Sequence, residues 1–436
     1  MLLDFQVSNY RSFRSRVQLS LAASNYDSAT LPGNVIAPHL PGVTKQKFLR
    51  GAAIYGANAS GKSNLIRAIF DLQKLVRTSH ALEAGAGLPV DPFLLDATSI
   101  NQPTLYAIRF VASGTRYHYN VAFDAQRILE ESLSAFPKGK EQLWYHRLWD
   151  EEEKTYSYSP EDSEHFAIRK TDVEFTKPNS LFLSTATNLL NHPKLGPVYA
   201  WFRETLNIVN LGVDSNHLDS TLTMKRFQSH PEQVMRFLRQ ADLGIADMEI
   251  RNERIPSQLL LQLTKEIAEQ SKTSELVRIN LFHTGIGGAR HALEIQQESS
   301  GTQRIFDLIG PWLDLIEKGT VLFLDEIETS LHPLLTRELI RIVMDPNLNT
   351  KNAQIIFATH DPLLLDTALL RRDQIWLTEK THEGDSILYA LNEYKTPPSK
   401  RESLVRGYLS GRYGGIPYIP ESLFSAPESN LALANE

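Results

Sequence analysis

Hydrophobic and polar positions alternate near the start of the chain, in Leu3-Asp4-Phe5-Gln6-Val7-Ser8 and again in Val17-Gln18-Leu19-Ser20-Leu21, a period of two that predicts half-buried strands. The same signal returns at Leu105 to Val111, Tyr117 to Phe123, Ile128 to Phe136 and Gln142 to Trp149. Turn residues Ser113-Gly114 and Pro137-Lys138-Gly139 separate some of these runs, so an antiparallel meander is expected. Ala52-Ala53-Ile54-Tyr55 is unbroken and apolar, as in a strand buried on both faces, and Asn64-Leu65-Ile66-Arg67-Ala68-Ile69 begins a helix with Leu65, Ile69 and Leu72 on one side.

From about 180 to 290 the period becomes helical, at Val234, Phe237, Leu238 and Ala241 and again near Leu259, Leu263 and Ile267. This predicts a mainly helical insertion, without the sustained heptads of a long coiled coil. Beyond 300, Ile305, Leu308, Ile309, Trp312, Leu313 and Ile316 form one helix face. The buried runs Val321 to Leu324, Ile355 to Ala358 and Gln374 to Leu377 follow, an alternation that means a parallel sheet and an α/β fold. The expected division is 1–180, 181–290, 291–395 and a C-terminal segment 396–436, whose last sixteen residues read as a flexible tail.

Composition narrows the chemistry. The 436 residues contain no cysteine, which excludes disulfides, thiolate catalysis and cysteine-ligated zinc or iron–sulfur sites and leaves oxygen or histidine as metal ligands. A formal charge of −6 argues against a generally basic nucleic-acid binder while leaving a local groove open. No run of 18 apolar residues occurs, and Asp4 lies where a secretory leader needs a basic start, so a cytoplasmic protein with no membrane partner is expected.

The candidate chemistry begins at Gly56-Ala57-Asn58-Ala59-Ser60-Gly61-Lys62-Ser63, a G-x-x-x-x-G-K-[ST] loop between the apolar run and the helix. Its glycines let the backbone wrap a diphosphate, so that N–H groups and the helix N-terminus face negative charge. Lys62 would reach the β and γ phosphates, and Ser63 would place its hydroxyl on a magnesium ion. Thr320 to Glu326 ends a buried run with two carboxylates, where ligands sit in open α/β sheets. Asp325 is suited to hold the magnesium, and Glu326 to orient and deprotonate the attacking water. His360, ending Ile356-Phe357-Ala358-Thr359, can contact the γ phosphate. Taken alone, the last two segments also read as a solvated Asp-Glu turn and an ordinary strand-end histidine.

Together these motifs, with Ser330-Leu331-His332-Pro333 between them, resemble the ATP-binding-cassette ATPases of the SMC and RecF kind. Ser299-Ser300-Gly301-Thr302-Gln303 resembles that family's Leu-Ser-Gly-Gly-Gln signature, with Ser299 in place of leucine and Thr302 in place of the second glycine. Asn58, Asn64 and the opening Phe5-Gln6-Val7-Ser8-Asn9-Tyr10-Arg11-Ser12-Phe13 resemble the same branch. No glutamine near Asp91-Pro92-Phe93 matches its glutamine loop.

The resemblance implies an ABC-ATPase head with an antiparallel β lobe, binding ATP and Mg2+ through residues 56 to 64. It also implies a head-to-head dimer, or multiples of it, in which Ser300, Gly301 and Gln303 of one subunit meet the nucleotide of the other. The order of motifs looks like stand-alone abortive-infection ATPases of the AbiL or RloA type, related to OLD-family nucleases. No Asp-x-Asp pair follows His360, so any nuclease or toxin activity is expected in a separate subunit. A RecF-like DNA-repair ATPase is the alternative, with DNA or RNA as a possible partner. The C-terminal segment, from Lys395 to Arg401 and from Arg406 to Pro417, reads either as a solvated loop and helix on the second lobe or as a surface for a partner or nucleic acid.

Overall fold

The computed structural model describes residues 1–25, 29–43, 45–159, 165–168, 170–209, 220–241, 243–254, 275–394 and 403–417. The helical pattern near Leu259, Leu263 and Ile267, the basic run from Lys395 to Arg401 and the tail from 421 lie outside these residues. The fold is α/β, built on two large sheets.

The first sheet is antiparallel and seven-stranded, in the order Thr155–Ser159, Gln142–Asp150, Ile128–Phe136, Thr115–Phe123, Thr104–Ala112, Leu2–Ser8, Val17–Ser20. Four of its strands, Thr104–Ala112 to Gln142–Asp150, are the expected meander, Thr155–Ser159 extends it by one, and the N-terminal pair adds at the other edge. The second sheet runs Leu206–Val209, Val321–Leu324, Gln354–Ala358, Gly51–Gly56, Ile375–Lys380, Ser386–Ala390. Its first five strands are parallel and the last turns back antiparallel.

The second sheet is buried on both faces, and the period of two divides its side chains between two cores. Ala52, Ile54, Phe323 and Ile356 join the helix Lys62–Thr78 and the inner face of the antiparallel sheet. Ala53, Tyr55, Leu322 and Phe357 join the helices Ser300–Lys318 and Pro333–Met344 on the other side. Gly51–Gly56 therefore reads as a continuous apolar run because neither of its faces meets water. Gln354 ties the two sheets together: its Oε1 accepts from Leu2 N at 2.6 Å, and its Nε2 donates to Leu2 O and Leu49 O, each at 3.0 Å.

The inserted region keeps the expected helices, Thr221–Ser229 and Pro231–Gln240, with Val234 and Leu238 buried. It also holds a three-stranded antiparallel sheet, Ile245–Arg254, Glu275–Thr284 and Arg290–Glu294, that the periodicity did not announce. A bulge between Ile245 and Asp247 breaks the alternation of its first strand, and such a shift hides a strand from a period-two reading. The described part of the insertion is thus a mixture of helix and sheet.

Candidate nucleotide-binding site

The central strand Gly51–Gly56 carries its loop to the carboxyl edge of the parallel sheet, between strands that end at Ala358 and continue through Thr378. Gly56 leaves no room for a side chain: a Cβ there would lie 2.2 Å from Thr378 Oγ1 and 2.3 Å from Ser60 Oγ. Those hydroxyls bond each other at 2.5 Å, and Thr378 Oγ1 reaches back to Tyr55 O. Ala59 and Gly61 adopt positive φ, 60° and 117°, which turns the loop back onto the helix Lys62–Thr78. Asn58 and Ala59 are exposed at the tip, while Ser60, Gly61 and Lys62 are buried beneath it.

Lys62 Nζ donates to Gly56 O at 2.8 Å and Ala57 O at 3.0 Å, so the ammonium rests inside the ring of loop carbonyls. Burial pulls its pKa down to about 8 against the opposing pull of Asp325, Glu326 and Glu328. These three carboxylates come from the turn after Val321–Leu324, which the parallel sheet brings to the same edge. Asp325 is buried; burial raises its pKa, the nearby Ser63 side chain opposes the rise and Glu326 adds to it. Its Oδ1 has no hydrogen-bond partner. A serine hydroxyl near a buried carboxylate with an orphaned oxygen fits a small hard cation that keeps most of its water.

Glu326 is exposed and held in a left-handed conformation, φ 49°, with Thr329 Oγ1 donating to its Oε2 at 3.1 Å. His360 stands at the rim, and its backbone N–H donates to Glu328 Oε1 at 2.5 Å. Partial burial and the nearby Lys62 push the His360 imidazole below its usual pKa. Lys62, Ser63, Asp325, Glu326 and His360, far apart in sequence, thus share one electrostatic neighbourhood.

This arrangement coincides with a family match. Residues 52–366 match the family described as "AAA domain, putative AbiEii toxin, Type IV TA system". The chain belongs to this AAA-domain family. No curated relative matches it in sequence. Solved structures similar to it include an SMC head bound to the C-winged helix domain of ScpA, with 13% identity, TM-score 0.39, 89% of this chain and 97% of that one covered. The SMC head domain from Thermotoga maritima is similar with 14% identity, TM-score 0.35 and coverage of 89% and 98%. So is an SMC head with an extended coiled coil bound to the C-terminal domain of ScpA, derived from Pyrococcus furiosus, with 12% identity, TM-score 0.35 and coverage of 89% and 96%. No helix among the described residues is long and apolar enough to cross a membrane.

Within the AAA domain, Ser299 caps the helix Ser300–Lys318, its Oγ accepting from Thr302 N at 3.1 Å. Ser300 is exposed at that N-terminus, where the helix dipole favours an anion. Gly301 packs so closely that a Cβ would lie 2.9 Å from Ser330 O, which sets the signature beside the turn that carries Glu326. Gln303 points back to its own loop, donating to Glu298 O at 2.9 Å and Gln296 O at 3.3 Å. In this arrangement it braces the signature turn.

One feature of the site carried no signal in the sequence, and a second was expected only as a loop and helix on the second lobe. Arg304, buried just after Gln303, reaches the Glu326 carbonyl at 3.4 Å, while its Nε and Nη1 have no partner. Burial lowers its pKa to about 10 against the pull of Asp307, Glu326, Glu328 and Asp325. The described C-terminal residues also back the loop: the Tyr408 ring lies 5.4 Å from that of Tyr55, Tyr408 OH donates to Gly415 O, and Gly415 N donates to Glu379 Oε1 at 2.6 Å. Asp91 and Phe93, in place of a glutamine loop, bind the N-terminal motif through Arg11 and through Asn9 Oδ1, which accepts from Phe93 N at 3.1 Å.

Proposed function

We propose that this chain is a magnesium-dependent ATP hydrolase whose AAA domains close head to head around nucleotide, each site being completed by Ser300 and Gly301 of a second copy. The observation that carries this reading is the orphaned, buried oxygen of Asp325 at the edge of the P-loop, with Lys62, Ser63, Glu326 and His360 in electrostatic reach. On binding, Lys62 exchanges the carbonyls of Gly56 and Ala57 for phosphate oxygens, a stronger charge-assisted partner. Glu326, at the open end of the site, accepts a proton from the attacking water, and the neutral His360 hydrogen-bonds the γ phosphate. Ser63 and Asp325 would hold magnesium, which when bound offsets negative charge on the phosphates.

Binding and hydrolysis would then shift the chain between closed and open dimers by differential contact with the γ phosphate. The family's description names a toxin of a toxin–antitoxin system. It supports a role in a bacterial defence system, with ATP-gated dimers controlling a separate nuclease or toxin subunit. The test is the Glu326→Gln chain with Mg-ATP. Turnover falls by about 10²–10⁴-fold, the range for a general base, while ATP stays bound and the mass in solution doubles. Normal turnover, or a monomer with ATP bound, overturns the reading. Hydrolysis stimulated by DNA and salt-sensitive DNA affinity in the chain alone would move the assignment to a RecF-like repair ATPase.

A further inference from the structure

The antiparallel sheet has a second face, turned away from the nucleotide site, and that face is partly covered. Register sets Asp4 opposite Arg109, Arg109 opposite His118, and Arg116 opposite Phe136, alternating with the inward residues Phe5, Ile108 and Tyr117. Over it pass residues from the stretch between Leu40 and Phe48. Leu40, Val43 and Phe48 pack on Leu3 as a small core separate from the two main ones. Gly42 and Gly139, with φ 73° and 81°, touch so closely that a Cβ on Gly42 would lie 2.7 Å from the Gly139 Cα. Only glycine satisfies both the left-handed backbone and that approach. The contact pins this stretch to the hairpin tip, and beside it lies an open-sided cleft of about 710 Å³, within the roughly 300–1,000 Å³ range of small-molecule sites.

The charges in this cleft do not cancel. Asp4 is taken by Arg109, with Nε 2.6 Å from its Oδ2. Arg116 makes no ion pair among the described residues; its guanidinium lies 4.0 Å from the centre of the Phe136 ring. A guanidinium stacked in this way keeps its in-plane N–H edge for an acceptor. Lys45 also lines the cleft, against one further carboxylate, Glu141. His118 is pushed toward its neutral form by burial and by Arg109.

We propose that this cleft binds a small phosphate-bearing organic molecule, with Arg116 and Lys45 taking the phosphate and the wall of Val43 and Phe48 taking its apolar part. Paired N–H groups on a planar cation suit phosphate oxygens, and a cleft bounded on one side by the Gly42–Phe48 stretch and lined by Val43 and Phe48 offers a compact ligand an apolar contact that a bare phosphate backbone would not use. The site is separate from the P-loop and stands whether or not the chain hydrolyses ATP.

The test uses the full chain carrying Lys62→Ala, which silences the P-loop, titrated calorimetrically with inorganic pyrophosphate. One binding event is expected, and adding Arg116→Gln weakens it by at least about tenfold, the loss of one charge-assisted contact pair. The melting temperature, followed in parallel, should fall by no more than a few degrees, because among the described residues Arg116 bridges no carboxylate and loses only its stacking on Phe136. Absence of pyrophosphate binding in the Lys62→Ala chain, or binding indifferent to Arg116→Gln, overturns the proposal. A short DNA duplex is the second arm: duplex affinity that depends on Arg116 while pyrophosphate does not bind assigns the face to a nucleic-acid backbone and rejects the small ligand.

Discussion

The side-chain amide of Asn64, in the first turn of the helix after the P-loop, donates to Ser12 Oγ at 2.8 Å. Ser12 O in turn accepts from Ser386 N at 2.6 Å. One hydrogen bond thus joins the N-terminal Asn9-Tyr10-Arg11-Ser12-Phe13 run to the nucleotide loop, and Tyr10 OH adds a second tie to the same helix through Asp71 at 2.6 Å. Asn64→Ala and Ser12→Ala should each destabilise the chain by about 1 kcal/mol, the net worth of such a bond. The double variant should cost little more than either. A denaturant double-mutant cycle measures this, and fully additive losses would show that the two side chains act independently.

The proposed sharing of the site between subunits predicts complementation. Chains carrying Lys62→Ala lose the phosphate-binding ammonium, and chains carrying Ser300→Arg present a bulky cation where the partner nucleotide should dock. Each is expected to be inactive alone. Mixing them creates heterodimers with one site built entirely from unaltered residues, so ATPase activity reappears on mixing. Continued inactivity of heterodimers confirmed by mass would rule out sites shared in this way.

Lys62 gives the nucleotide affinity a pH dependence. Its folded-state pKa is about 8 against an ordinary 10.5, so between these values the unfolded chain binds the extra proton and stability of the free protein rises with pH. A bound triphosphate favours the charged ammonium and reverses this preference, so binding above pH 8 must take up a proton. Affinity should fall by about tenfold for each pH unit above 8. Calorimetry in buffers of different ionisation enthalpy reads the proton uptake directly; no uptake at pH 9 would mean that Lys62 is already charged in the free site.

Asp325 has the opposite sign for an acid. Burial raises its folded pKa, so the folded chain holds its proton longer than the unfolded one and this residue's contribution to stability falls as pH rises through the carboxylate range. Asp325→Asn removes the buried charge. The variant should melt higher at neutral pH, by about 1 kcal/mol in stability, and should lose the magnesium dependence of nucleotide binding. Lower stability would mean that the orphaned oxygen is better satisfied than its surroundings indicate.

The loop around Lys62 and the carboxylates after Leu324 were legible because their chemistry is local: a fixed spacing of glycines, lysine and serine, and acids closing an apolar run. The meander was legible for the same reason, each strand showing its own alternation. What escaped depends on contacts between distant segments. Arg304 is ordinary in sequence, and only the packing of its helix beneath Glu326 gives it a role. The inserted sheet was masked by its bulge, and the close approach of Gly42 to Gly139 joins segments almost a hundred residues apart.

The strand Gly51–Gly56 has both its sheet neighbours, Gln354–Ala358 and Ile375–Lys380, some three hundred residues further along the chain. A ribosome that has made the P-loop has therefore not yet made the strands that flank it, and the Ala53 and Tyr55 face of this strand, which packs on the helices Ser300–Lys318 and Pro333–Met344, has no native cover until late in translation. Pairing across such sequence distances is slow and open to aggregation. A nascent or truncated chain lacking residues after 350 should thus carry the nucleotide-binding sequence without a nucleotide site, so that ATP binding reports on completed synthesis.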